Sequence, residues 1–280
     1  RVNAALLTPG AIMEKVRGRD VRASVILDGP MATPFIDYDI TAKNIAFDAT
    51  GIENLKASGR AVIDADRIRI PVNATASRVT GVNAAAGGLL QNLRVKGDFA
   101  YAAGKLISDS LKIDSDKVDA TAIILADLDN AIYRGGLKGR VNDYRIDGVG
   151  IVNLNTDVEL VPGPKGGFGL SGRFGVRTAR WENASVRDFL GGNALVSGRI
   201  GMTPEGKFTL AGLKGAAPNF TIQSGSGSYD TDGQIAFDAA ASSKQYGPLA
   251  LTVRGTVDRP QAVLRAARPN VGVQLTDVVA

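Results

Sequence analysis

The stretch that decides the fold is Leu93-Arg94-Val95-Lys96-Gly97-Asp98-Phe99-Ala100-Tyr101. Successive side chains of a strand point to opposite faces. Leu93, Val95, Phe99 and Tyr101 therefore share one face, while Arg94, Lys96 and Asp98 share the other. The same phrase, apolar-x-apolar-x-Gly-x-apolar, occurs six times. Around Gly59 it aligns Leu55, Ala57, Ala61 and Ile63; around Gly139 it aligns Leu137 and Val141. Around Gly172 it aligns Phe168, Leu170, Phe174 and Val176. Around Gly198 it aligns Val196, Ile200 and Met202; around Gly255 it aligns Leu251, Val253 and Val257. Each motif glycine falls on the apolar face. Glycine weakens a strand, so its return at one place signals a bend, a bulge or a close backbone approach. A sheet bent at successive strands curls about a line and makes a trough or a barrel, apolar inside and charged outside.

Further strands read as Val21–Leu27, Phe35–Phe47, Ile68–Val72, Leu111–Ile113, Val118–Leu125, Tyr144–Leu160, Phe208–Leu213, Phe220–Ile222 and Ile235–Ala241. Turn signals separate them at Asp28-Gly-Pro30, Pro162 to Gly167, Pro204-Glu-Gly206 and Asp230 to Gly233. Short alternating strands joined by turns predict an antiparallel meander with one wet face. Helix signals are few. Thr8-Pro9 predicts a start, with Gly18 as the stop. Asn83–Asn92 predicts a weak helix, and Ser185-Val-Arg-Asp188 reads as a capping box for a turn ending at Gly191. The expected architecture is all-β: an elongated antiparallel sheet curled lengthwise into a U-shaped groove, with a few short helices. Residues 1–280 read as one continuous groove segment, and both ends read as cut from a longer chain.

Composition removes much chemistry. The 280 residues contain neither His nor Cys, so the common triads, thiolate nucleophiles and zinc sites are excluded, as are disulfides. No metal or cofactor is expected. The pairs Asp37/Asp39, Asp64/Asp66, Asp114/Asp116 and Asp127/Asp129 stand at glycosidase-like positions, two apart on a strand face. Scattered pairs of this kind are ordinary on the solvated face of strands, and aromatic residues to stack sugars are sparse. Asp230-Thr-Asp232-Gly233 is a fragment of a calcium loop without the distal ligands, and Gly163 to Gly167 lacks the Lys-Ser/Thr ending of a phosphate loop. Both read as hairpin turns. The net charge is +5, but the cations are interspersed with acids rather than clustered as nucleic-acid binding requires. Arg60, Arg140, Arg173 and Arg199 follow motif glycines and read as a solvated cross-strand row.

The ending Leu251-Thr-Val-Arg-Gly-Thr-Val-Asp-Arg-Pro260-Gln, closing a series of Gly-Arg-apolar strands, resembles the TamB/AsmA-like family of the Gram-negative envelope. The phrase from Tyr229 through Gly233-Gln-Ile-Ala-Phe-Asp-Ala resembles the strand pair preceding that motif. The resemblance implies a translocation and assembly module protein: a taco-shaped sheet anchored in the inner membrane, crossing the periplasm and conducting phospholipids toward the outer membrane. It implies acyl chains as ligands of the groove, an Omp85-class outer-membrane protein as a partner of some members, and no catalytic residues. This chain would be a middle stretch of the groove. Two other readings stand beside it: a structural or adhesive β-sandwich or barrel with a closed core, and a carbohydrate enzyme using an Asp pair.

Overall fold

The computed structural model describes residues 2–6, 16–47, 50–80, 90–130, 132–146, 150–163, 168–267 and 278–279. The chain divides into two compact units, Arg1–Val141 and Asn142–Ala280. Both are antiparallel β structure, and the division falls inside one strand.

The first unit holds β1 (Val2–Leu6), β2 (Val16–Arg19), β3 (Val21–Asp28), β4 (Phe35–Phe47), β5 (Thr50–Ile63), β6 (Ile68–Thr80), β7 (Gln91–Ala102), β8 (Lys105–Asp114), β9 (Val118–Asp127) and most of β10 (Ile132–Ile146). From β3 to β10 each strand pairs antiparallel with the next. β2 continues the line of β3 along β4, and β1 pairs with the other edge of β3.

The second unit holds the end of β10 with β11 (Gly150–Pro162), β12 (Phe168–Trp181), β13 (Leu195–Met202), β14 (Phe208–Ala217), β15 (Phe220–Tyr229), β16 (Gln234–Ser243), β17 (Gly247–Thr256), β18 (Arg259–Ala266) and β19 (Val278–Val279). From β11 to β19 each pairs antiparallel with its successor. Each unit is therefore all-β antiparallel sheet, as alternation predicts, and among the described residues no pairing closes either one into a barrel. No helix among the described residues is long and apolar enough to cross a membrane.

Several boundaries differ from the sequence reading. Tyr144–Leu160 is not one strand: β10 ends at Ile146 and β11 begins at Gly150. β15 runs on from Ile222 through Gln-Ser-Gly-Ser-Gly-Ser to Tyr229. That glycine-serine run is strand because β16 pairs with it from Ser224 to Ser228, and β14 joins from the other side at Gly227 and Ser228. The single described helix, α1 (Ala184–Leu190), is capped by Asn183, whose side chain accepts from the Val186 amide, rather than by Ser185. It stops at Gly191 in the left-handed region, as expected. Of the first expected helix, residues 8–15 lie outside the described residues, while Arg17 and Gly18 belong to β2. Of the weak helix, residues 83–89 lie outside them, and Gln91 and Asn92 open β7.

The motif glycines sit where backbones or rings approach closely. At Gly59 an added Cβ would strike the Pro71 carbonyl, and the Tyr38 ring already crosses that space to donate its hydroxyl to Pro71 O. At Gly172 it would lie 2.5 Å from Val158 Cα and against the Asp157 carbonyl. Backbone atoms cannot swing away as the end of a side chain can. Gly172→Ala is therefore expected to cost roughly 1–3 kcal/mol. Gly201→Ala, which meets the Thr209 hydroxyl, is expected to cost less. Urea unfolding midpoints at constant slope check the difference.

Candidate functional site

The two faces of the sheet differ as the alternation predicts. In the first unit the apolar rows run straight across neighbouring strands: Ala57 opposes Ala74, which opposes Val95, and Ile70 opposes Phe99. Leu55, Ala61 and Ile63 share that face with Leu93 and Tyr101, and β6 joins the two sets through Ile68, Ala74 and Ala76. Leu137 opposes Ala122 and Val141 opposes Val118. In the second unit Leu170 lies between Leu160 and Met202, and Val176 between Leu154 and Val196. Phe174 opposes Gly198 and covers it, with its ring carbon 3.2 Å from where a Cβ would stand. Ile200 opposes Leu210; Leu251 lies between Ala239 and Leu264, and Val253 between Phe237 and Ala262. Val257 does not continue the row. β17 ends at Thr256, and Val257 stands in the following turn, 57% exposed. The side chain of Phe168 lies outside the described residues.

Sequence alternation misses a row that crosses five strand lines of the first unit. Asp20, Asn54 and Asn92 have φ of 54°, 51° and 53°. The ladders skip these positions but bracket them in one line: Arg19 opposes Asn44 and Arg22 Thr41, Ala42 opposes Leu55 and Asn44 Glu53, Glu53 opposes Arg78 and Lys56 Thr75, and Ala76 opposes Leu93 and Arg78 Gln91. Asx residues tolerate this left-handed backbone better than other non-glycine residues. Asn54 Nδ2 donates to Ser77 Oγ at 2.9 Å, and Asn92 Nδ2 to Asp116 Oδ2 at 2.8 Å. Across the row the apolar positions step by three rather than two: Ile45 to Ala42, Ile52 to Leu55, Val79 to Ala76, Leu90 to Leu93. The apolar face thus continues where strict alternation would have turned it over. Asn residues inside strands were the one visible signal.

What covers the apolar face decides its chemistry. Among the described side chains none of Phe, Tyr, Trp, Ile or Met is buried. The buried apolar set is mainly Ala and Val, with Leu111, Leu213 and Leu249. Only Ser108 is less than 2% exposed, and its hydroxyl has no partner. A closed sandwich core would hide its rings and long aliphatics first, since these gain most from burial. Here they line a face that remains partly open. Among the exposed large apolar residues, Leu27, Tyr101 and Tyr133 in the first unit and Phe208 and Tyr229 in the second stand near strand ends, while Ile123 and Leu125 of β9 are exposed on the face of Asp119.

The polar face carries the acids. Arg60 donates from Nε and Nη2 to the two Asp37 oxygens at 2.6 and 2.9 Å, and its guanidinium stands 4.2 Å from the Phe35 ring centroid. Arg140 pairs with Asp119 at 2.7 Å, and Arg173 stands 3.9 Å from Asp157. All three pairs are directly opposite in register. The Arg60 hydrogen bond holds the Asp37 carboxyl below the usual range, and Arg140 and Arg254 do the same to Asp119 and Asp238. Of the candidate acid pairs, Asp64 faces Arg69 at 3.6 Å, Asp114 faces Lys112 at 3.8 Å, and Asp127 accepts from Asn130. Asp230 to Gly233 is a tight turn, as read, with Gly233 N donating to Asp230 O.

With this geometry in hand, the chain matches no protein-family model, no curated protein and no solved structure.

A carboxylate whose folded pKa is depressed contributes stability above its unfolded pKa, and that contribution is lost as pH falls through the folded value. There is no histidine. Folding stability is therefore expected to be flat between about pH 5 and 8 and to fall below about pH 4. Asp37→Asn should remove part of the fall. Urea midpoints across pH check both.

Proposed function

We propose that the chain is a segment of a periplasm-spanning bridge that carries phospholipids between the inner and outer membranes along a hydrophobic groove and so supports outer-membrane biogenesis. The observation that carries this reading is antiparallel sheet in each unit in which, among the described side chains, no Phe, Tyr, Trp, Ile or Met is buried, while the lining residues of the repeated glycine phrase stand on one face. The resemblance of Gly255-Thr-Val-Asp-Arg-Pro260 to TamB/AsmA-like proteins points the same way. Anchorage to the inner membrane, and contact with an Omp85-class protein, would come from regions outside these residues.

The mechanism needs no bond chemistry. Each methylene left in water costs about 0.8 kcal/mol. An apolar floor removes that cost along the path, while the head group stays in water at the strand ends. The work of the protein is then to keep the floor free of charge and free of gaps.

Mass spectrometry of hydrophobic molecules travelling with the purified chain is the first test; phospholipid is the expected finding. Arg at Phe99, Phe174 and Val253 together is expected to abolish photo-crosslinking to lipid and lipid delivery while the β-sheet circular dichroism persists. Undiminished lipid contact in that triple variant would overturn the reading.

A further inference from the structure

The arginine that follows a motif glycine faces an aspartate at Arg60 and at Arg140, but Arg199 breaks the rule. Arg199 of β13 stands directly opposite Arg173 of β12. On its other side it opposes Ala211 of β14, and along its own strand it alternates with Ser197 and Gly201. Like charges directly opposite in a sheet repel and cost stability. Arg173 has Asp157 across from it on β11, but at 3.9 Å that contact is too long for a hydrogen bond. Asp157 also lies on the far side of Arg173 from Arg199, so it compensates one guanidinium and leaves the other.

The imbalance extends around the pair. On the same face β12 adds Arg177, and β14 adds Lys214, which is in register with Ser197. The strands β12, β13, β14 and β15 contain no Asp or Glu at all. The flanking strand carboxylates are Asp157 and Glu159 on β11 and Asp238 on β16. Asp238 is already held, its two oxygens accepting from Arg254 Nη2 at 3.0 and 2.8 Å. In the turn regions Glu182 accepts from Arg145, and Asp188 from Arg187. The polar face of β12–β14 is therefore a field of one sign. It is also uncluttered. Ser171, Gly175, Ser197, Gly201 and Ala211 surround the two arginines, and all are small. Asn155 and Thr209 lean over the two glycines, with Oδ1 and Oγ1 2.6 and 2.7 Å from where a Cβ would stand.

We propose that Arg173 and Arg199 hold a phosphate group between them, with Lys214 beside it. The site lies on the face opposite the lipid floor and does not depend on that reading. Cross-strand Cβ atoms stand about 4.5–5.5 Å apart, so two guanidinium forks can close on one group. Each fork offers parallel N–H donors. A carboxylate has two oxygens, which fill one fork and leave the second unsatisfied. A tetrahedral phosphate has oxygens for both, and it brings the negative charge that these four strands lack. Bound phosphate turns the repulsion between Arg173 and Arg199 into attraction to a shared partner. The phosphate belongs either to a small soluble molecule or to a lipid head group, and the two sources are separable.

The test uses the full chain, labelled with nitrogen-15 and titrated with inorganic phosphate at an ionic strength held constant with chloride. The Nε–H signals of Arg173 and Arg199 should shift together and saturate, while that of Arg140, paired with Asp119, should stay in place. Arg199→Gln should weaken phosphate at least tenfold, and Arg173→Gln likewise. Asp157→Asn removes the competing carboxylate and should tighten phosphate. At low salt without phosphate, Arg199→Gln should raise the urea midpoint, because it ends the repulsion, and added phosphate should then raise the midpoint of the wild type only. Vesicles of phosphatidylglycerol, compared with phosphatidylcholine, give the source. Co-flotation with the anionic vesicles alone, lost in Arg199→Gln, supports the site and places the phosphate on a lipid head group. Saturation by inorganic phosphate without co-flotation supports the site and makes the ligand a small soluble one. Equal shifts at Arg140, or unchanged phosphate affinity in both Arg199→Gln and Arg173→Gln, overturn the site and leave general screening. Binding of neither phosphate nor anionic vesicles overturns it too. None of these results bears on lipid carriage by the other face.

Discussion

Everything in this molecule follows from a sheet whose ladders are satisfied sideways while one of its faces is oily. Backbone groups pair strand to strand from β3 to β10 and again from β11 to β19, so hydrogen bonding asks for nothing above or below the sheet. Apolar side chains do ask for something. With one short helix among the described residues, no second layer answers them. Within each unit the sheet itself gives partial cover, enough to bury Ala42, Ala76 and Leu111 but not Phe99 or Phe174. The uncovered remainder is the surface that the proposed acyl chains would cover.

Glycine and arginine serve opposite faces of the same constraint. On the apolar face a missing side chain allows a neighbour's ring to lie flat across the strand, as Tyr38 does at Gly59, Phe174 at Gly198 and Phe237 at Gly227. Rings laid in this way keep the floor continuous without thickening it. On the polar face Arg60, Arg140 and Arg173, each following a motif glycine, face Asp37, Asp119 and Asp157 in register. Exposed pairs of this kind contribute little to stability. Their value lies in specificity. A one-residue slip would turn Arg60 toward the apolar face and Ala61 toward water, so the paired charges hold the register that the floor needs.

Alternation made the all-β fold and the facing of most lining residues legible. Leu93, Val95, Phe99, Leu170, Val176 and Val253 stand on the face assigned by counting in twos. Counting in twos fails where the chain itself stops alternating. At Asn54 and Asn92 a left-handed residue carries the backbone over, and no composition rule separates such an Asn from one in a turn. Ser224 to Ser228 lies past the strand read at Phe220–Ile222 and offers no apolar alternation to count. It is strand because Leu213 and Phe237 need a flat surface to lie on at Gly225 and Gly227. Val257 was assigned by extending a period past the strand's end, where the Val257 amide instead donates to Gly233 O.

The chemistry of the floor also bears on how a ligand would move over it. The buried polar side chains of the described apolar regions are few and small, namely Ser108, Thr178 and Ser243. None carries a charge that could hold a head group. Apolar contact has no preferred direction and scales with area. A chain lying on such a floor therefore meets nearly the same free energy at each strand, provided the floor neither rises nor breaks. Transfer is favoured by that flatness, and binding specificity is opposed by it.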